Sequence, residues 1–132
     1  MWLLDTNAWI AYLGKKPSPV HQRVAAAPQG TVLLCDVVKG ELLFGAYNSA
    51  RQTENFTRLH TLFAVVDSLP FDGKAADHFG EIRAYLKKQG KPIGPYDLQI
   101  AAIARACDLT LVTHNTDEFK RVPDLRLEDW EL

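Results

Sequence analysis

Acidic residues stand at four places in this chain where a carboxylate can do chemistry rather than only solvate a surface. Asp5 follows the apolar run Trp2-Leu3-Leu4, and Glu41 lies inside Val37-Val38-Lys39-Gly40-Glu41-Leu42-Leu43. Asp97 follows Pro95-Tyr96, and Asp117 with Glu118 follows the run that ends at Thr113. Each has a plain structural explanation. An acid near a helix N-terminus gains from the macrodipole, and Asp5 or Thr6 is a good helix cap. That explanation suffices for Asp97 or Asp117 taken singly. It is weaker for Glu41, because an acid flanked by apolar residues is rarely buried without a partner.

Gathered at one sheet edge, with no matching cluster of Arg or Lys, these carboxylates repel one another unless a cation sits between them. Oxygen donors of this kind select Mg²⁺ or Mn²⁺ over zinc. The chemistry such ions do best there is phosphoryl transfer, by activating water and stabilising charge on a phosphodiester. Asn7 and Asn115 can add neutral oxygens or hydrogen bonds around the acids, and the Thr6 and Thr113 hydroxyls can orient them. Other chemistries find less support. His21, His60, His78 and His114 are scattered, with no HExxH. No GxSxG, GxGxxG or Walker A pattern occurs.

The elements needed to position the acids can be read from hydrophobic spacing. Trp2 to Leu4 reads as a short buried strand feeding a helix that runs to Leu13 and stops at Gly14. Val20 to Ala27 reads as a second helix and Thr31 to Cys35 as a buried parallel strand. Asp36 is placed to cap a helix carrying Glu41. Arg51 to Ala64 makes a fourth helix, Val65-Val66 begins a short strand, and Asp72 opens the longest helix, extending to about Gln89 with Ala76, Phe79, Ile82 and Leu86 as its buried stripe. Gly90 ends it. Pro95 sits where a first-turn proline is tolerated, so a helix with a small-residue face starts around Tyr96-Asp97. Thr110 to Thr113 is another strand, His114 to Lys120 a loop with a helical turn, and Leu125 to Leu127 a last edge strand. Strands alternate with helices throughout, which makes the class α/β with a parallel sheet and helices on both faces. In such sheets, ligands gather beyond the carboxyl ends of the strands.

The 132 residues suit a single domain, 1–132, and the composition, 47% hydrophobic and 23% charged, is that of an ordinary globular protein. Fifteen basic against sixteen acidic residues give a net charge of −1, so there is no strongly basic footprint for nucleic acid. A bound divalent ion can supply that positive charge locally. Asp5 interrupts the only apolar run near the N-terminus, which argues against a signal peptide, and no stretch is long enough for a membrane span. Cys35 and Cys107 read as reduced core residues and point to a cytoplasmic protein.

Four stretches together resemble a known family: LLDTNAWI from Leu3, VVKGELLFGAYNS from Val37, GEIRAYLKKQGKPIGPYDLQIAAIA from Gly80 and LVTHNTDEFKRVPDL from Leu111. They are similar to PIN-domain ribonucleases, and more narrowly to the VapC toxins of bacterial type II toxin–antitoxin modules. The resemblance implies a PIN-like three-layer α/β/α fold with a mainly parallel twisted sheet of four to five strands. It places Asp5, Glu41 and Asp97 at the acidic metal-binding positions. Asn115 stands where many PIN domains carry a fourth acid, which leaves Asn115, Asp117 or Glu118 to complete the site. The resemblance further implies Mg²⁺- or Mn²⁺-dependent cleavage of RNA, often a tRNA or other structured RNA. It also implies a homodimer, and a cognate VapB-like antitoxin that blocks the groove in a heterotetramer or larger assembly. On this reading Asp5 and Asp97 hold the principal ion and Glu41 acts on the attacking water. A catalytically inactive PIN scaffold that only binds protein or RNA is the alternative, and Asn115 is its sole support. Lys39, Arg83 and Lys91 are candidates for steering the phosphate backbone, and Tyr96 is the one aromatic placed to stack on a base.

Overall fold

The computed structural model describes residues 1–132. The central strand is β1 (Trp2–Leu4), whose two buried leucines are followed by Asp5 as the cap of α1 (Thr6–Leu13). A second helix, α2 (Pro19–Ala26), starts with proline in its first turn, where the missing N–H costs nothing. Strand β2 (Val32–Cys35) leads directly into α3 (Asp36–Tyr47), then α4 (Gln52–Val65), β3 (Ser68–Leu69) and α5 (Gly73–Lys88). The chain closes with α6 (Pro95–Ala106), β4 (Thr110–Val112), a one-turn α7 (Thr116–Phe119) and β5 (Leu127–Glu128).

All four strand pairings are parallel and the order is β3-β2-β1-β4-β5, with helices flanking the sheet in three layers. The order fixes where a ligand fits. From β1 the chain winds outward through β2 to β3, then returns to lay β4 against the other side of β1. The connections leaving β1 and β4 therefore diverge, and a crevice opens at their carboxyl ends. The register Leu4↔Val112 and the hydrogen bond from Asp5 N to the Val112 carbonyl (3.0 Å) bring Asp5 alongside Thr113 at that crevice.

The buried residues form one cluster, and α6 is its most deeply set helix: Ile100, Ala101, Ala102, Ile103 and Ala104 have no exposed surface. Runs of alanine let α5 and α3 approach it closely. The turn from α5 toward α6 rests on Gly90. At φ +67° it permits the paired closing bonds from Gly90 N to Lys87 O (3.1 Å) and from Lys91 N to Leu86 O (3.1 Å).

Some expectations need correction. Asp36 does not cap α3. It is the first helical residue, and its carboxylate accepts from the Ser68 hydroxyl (2.6 Å) instead. Val65 extends α4 and the edge strand comes two residues after Val66, at Ser68–Leu69, where Leu34 N already bonds Asp67 O (2.9 Å). Ala75 rather than Ala76 lies on the buried stripe of α5. Cys107 is exposed at the C-terminus of α6, so only Cys35 is a core thiol. The last strand begins at Leu127, two residues later than the apolar spacing indicates.

Candidate active site

Asp5 is buried, with 5% of its surface exposed, and it both caps and faces the crevice. One carboxylate oxygen accepts from Ala8 N (2.9 Å), which satisfies a free N–H of the first turn of α1. The Thr113 hydroxyl donates to the same carboxylate and itself accepts from Asn115 N (3.0 Å). Thr113 is fully buried, so this arrangement fixes the carboxylate in direction. Burial raises the Asp5 pKa above the ordinary carboxylate value, opposed by the bonds from Thr113 and Ala8 and reinforced by the charges of Glu131 and Glu41.

Glu41 sits in the second turn of α3, half-buried, and accepts from the Thr6 hydroxyl at 2.6 Å. Thr6 is thereby the tie between the first turn of α1 and the acid of α3. Asp97, in the first turn of α6, is pushed up to about 7. Burial is the largest cause, followed by the charge and the hydrogen bond of Glu118, and then by Asp5 and Glu41. Every one of these influences raises it, and none comes from a cation. Glu118 reaches Asp97 from α7, held by Gly94 N (3.3 Å) and by the Asn115 side-chain amide.

The crevice thus brings Asp5, Glu41, Asp97 and Glu118 within electrostatic reach of one another. Asn115 takes part by positioning Glu118. Asp117 does not join: its side chain is 90% exposed and pairs with Lys120 (3.1 Å). Asn7 is exposed and lines a groove of about 820 Å³ that runs past Thr6 and Glu41 to Phe44 and Tyr96. An all-oxygen donor set in which burial and neighbouring acids raise the pKa of Asp5 and Asp97 fits a hard divalent cation, which would favour their ionised forms.

One cluster escapes sequence reasoning. His114 Nδ1 lies 2.9 Å from Asp129 Oδ2 and 3.5 Å from Glu131 Oε2, and the three ligand atoms lie within 4.8 Å of one another. Its partners are 15 and 17 residues away, so no short spacing shows it. The signal is the register, since Val112↔Glu128 carries the residues after β4 and β5 out side by side. The hydrogen bond that the His114 ring donates to Asp129 raises the His114 pKa, with the charges of Asp129, Glu131 and Asp5 adding to it.

Residues 2–125 match the model of the PIN domain. This chain belongs to that family. Its relatives include the tRNA(fMet)-specific endonuclease VapC of Shigella flexneri, 41% identical over 129 residues that cover 98% of this chain and 97% of the relative. Among solved structures, VapBC2 from Rickettsia felis bound to a DNA fragment from its promoter is similar at TM-score 0.91 and 33% identity, covering 98% of each chain. FitAcB from Neisseria gonorrhoeae is similar at TM-score 0.86 and 31% identity over the full length of both chains. The PIN domain therefore runs through nearly the whole chain, and its crevice is where the four acids stand.

Proposed function

We propose that this PIN domain is the toxin of a type II toxin–antitoxin module, an endoribonuclease that hydrolyses phosphodiester bonds in RNA and is neutralised by a VapB-like antitoxin. The observation that carries the reading is similarity over almost the full chain to an endonuclease named for its action on a tRNA, combined with acids gathered at the crevice. A tRNA or another structured RNA is the substrate class that the relative supports. The complexes solved for similar chains, named as VapBC and FitAcB, support the antitoxin partner and an assembly larger than one chain.

Asp5, Asp97 and Glu118 are the residues that would hold Mg²⁺ or Mn²⁺, with Glu41 beside them. When bound, such an ion supplies charge stabilisation at the scissile phosphate and an activated water. The chain's own work is orientation. Thr113 aims the Asp5 carboxylate, Gly94 N and Asn115 hold Glu118, and the Thr6 hydroxyl fixes one oxygen of Glu41. The free oxygen of Glu41 is then available to accept a proton from an attacking water. Binding the ion requires Asp97 ionised, and in the metal-free protein its raised pKa places that ionisation near neutrality.

The test is cleavage of defined tRNA transcripts by protein freed of antitoxin, with Mg²⁺ or Mn²⁺ and with EDTA. Specific fragments dependent on the ion are expected. An absence of cleavage by folded protein on every transcript and ion would leave the binding-scaffold alternative in its place.

A further inference from the structure

Fifteen basic residues are spread along the sequence, but the fold gathers six of them on one side of the crevice: Arg83, Lys87, Lys88, Lys91, Lys120 and Arg121. All six are exposed. Only Lys120 is engaged by a carboxylate, that of Asp117, and the other five make no ion pair. Helix polarity accounts for Lys87 and Lys88, which sit in the last turn of α5. It does not account for Arg83, placed one turn earlier at the i, i+4 distance from Lys87, where like charges repel. Nor does it account for Lys91 and Arg121, which come from other segments.

Five of the cations, all but Lys88, border two adjoining grooves that share Leu86. The first, about 410 Å³, runs from Arg83 and Lys87 to Ile93, Pro95 and Leu98. Its far wall is the first turn of α6, the turn that carries Asp97. The second runs from Tyr85 and Lys91 to Lys120 and Arg121, at the end of the α7 turn that carries Glu118. The connection between α5 and α6 joins both grooves to the site: Arg121 donates to the Pro92 carbonyl (3.3 Å), and Gly94 N donates to Glu118 (3.3 Å). A row of cations, all but Lys120 without an ion pair, thus leads to the segments that carry the acids.

We infer that this strip is the track for the RNA backbone, binding phosphates on one side of the scissile bond and leading the strand over the α5–α6 connection into the crevice. The inference rests on the ribonuclease reading above. An acidic crevice repels a polyanion, and a chain of net charge −1 has no general attraction for one, so the cations must be local. The fold supplies them in one place.

The experiment compares the parent chain with Arg83→Gln/Lys87→Gln, Lys91→Gln/Arg121→Gln and a charge-matched control, Lys16→Gln/Lys74→Gln, whose exposed lysines make no ion pair. Binding of a fluorescein-labelled tRNA pool is measured in EDTA over a series of KCl concentrations. Steady-state cleavage is measured with Mn²⁺, and the association state by sedimentation. Each strip double variant is expected to flatten the slope of log K against log salt by about 2 and to raise KM while leaving kcat near the parent value. The control should match the parent. Unchanged slope and KM in the strip variants, alongside a parent that cleaves, would overturn the track. So would a changed association state, which would make the strip an interface between copies. A parent that cleaves no RNA would instead remove the ribonuclease reading, whatever the slopes.

Discussion

At the scale of single residues, Asp5 has two tasks that one substitution separates. Asparagine caps a helix as well as aspartate does, so Asp5→Asn keeps the bond to Ala8 N while removing the charge. Single-turnover cleavage should fall by about two orders of magnitude or more, with circular dichroism unchanged; retained cleavage would take Asp5 out of the site. Asp97 makes a prediction with a definite sign. Its folded pKa, about 7, lies above the unfolded value near 3.8, so between those pH values the folded state holds a proton that the unfolded state has lost. That contribution to stability is full below pH 3.8 and is lost as pH rises toward 7. In EDTA, Asp97→Asn should therefore be more stable than the parent at pH 8, by about 1 kcal/mol after allowing for solvent screening, and the gain should vanish near pH 4. Urea denaturation at the two pH values checks it, and a variant less stable than the parent at pH 8 would contradict it. The Asp5–Glu41–Asp97 grouping was legible as residue types at strand and helix ends. Glu118 could not be separated from Asp117 that way, because which of two neighbouring acids faces inward depends on the phase of a single helical turn.

At the scale of elements, α6 is both the core of the molecule and the mount of Asp97. Ala101 and Ala104 have no exposed surface and face tightly packed neighbours. Ala101→Leu should destabilise by about 1–3 kcal/mol in urea denaturation and should also slow cleavage, since a displaced α6 carries the first turn and Asp97 with it. Loss of stability with unchanged kcat would show that the first turn is held independently. Gly90 carries the sharp reversal after α5, and Gly90→Ala should destabilise by about 1 kcal/mol because of its positive φ. The spacing of apolar residues placed α5 and its end well, since a long periodic segment with an aspartate cap and a glycine stop leaves few choices. Short edge strands were placed less well. Ser68–Leu69 and Leu127–Glu128 carry no run of their own and exist because a parallel neighbour offers free carbonyls and N–H groups, which is tertiary information. The His114–Asp129 pair was invisible for the same reason.

At the scale of the whole molecule, the order β3-β2-β1-β4-β5 makes a chain of unremarkable composition into an acidic crevice bordered on one side by cations. The alternation of strands and helices was readable from the sequence, as was the family resemblance; the side on which the cations collect was not, because the grooves lined by Arg83 and by Arg121 adjoin only after α5 and α7 are packed. On the opposite side of the crevice, Ile10, Phe44 and Tyr47 are exposed apolar residues, Phe44 at 68%, a surface consistent with a chain that functions in complex with others. The most direct measurement of metal-dependent RNA cleavage is incubation of a small-RNA pool with antitoxin-free protein and Mg²⁺ or Mn²⁺, beside EDTA and Asp97→Asn controls, followed by sequencing of fragment ends. Discrete ends that disappear in both controls are expected. Fragments that persist in EDTA or with Asp97→Asn, or no fragments from folded parent protein with either ion, would contradict it.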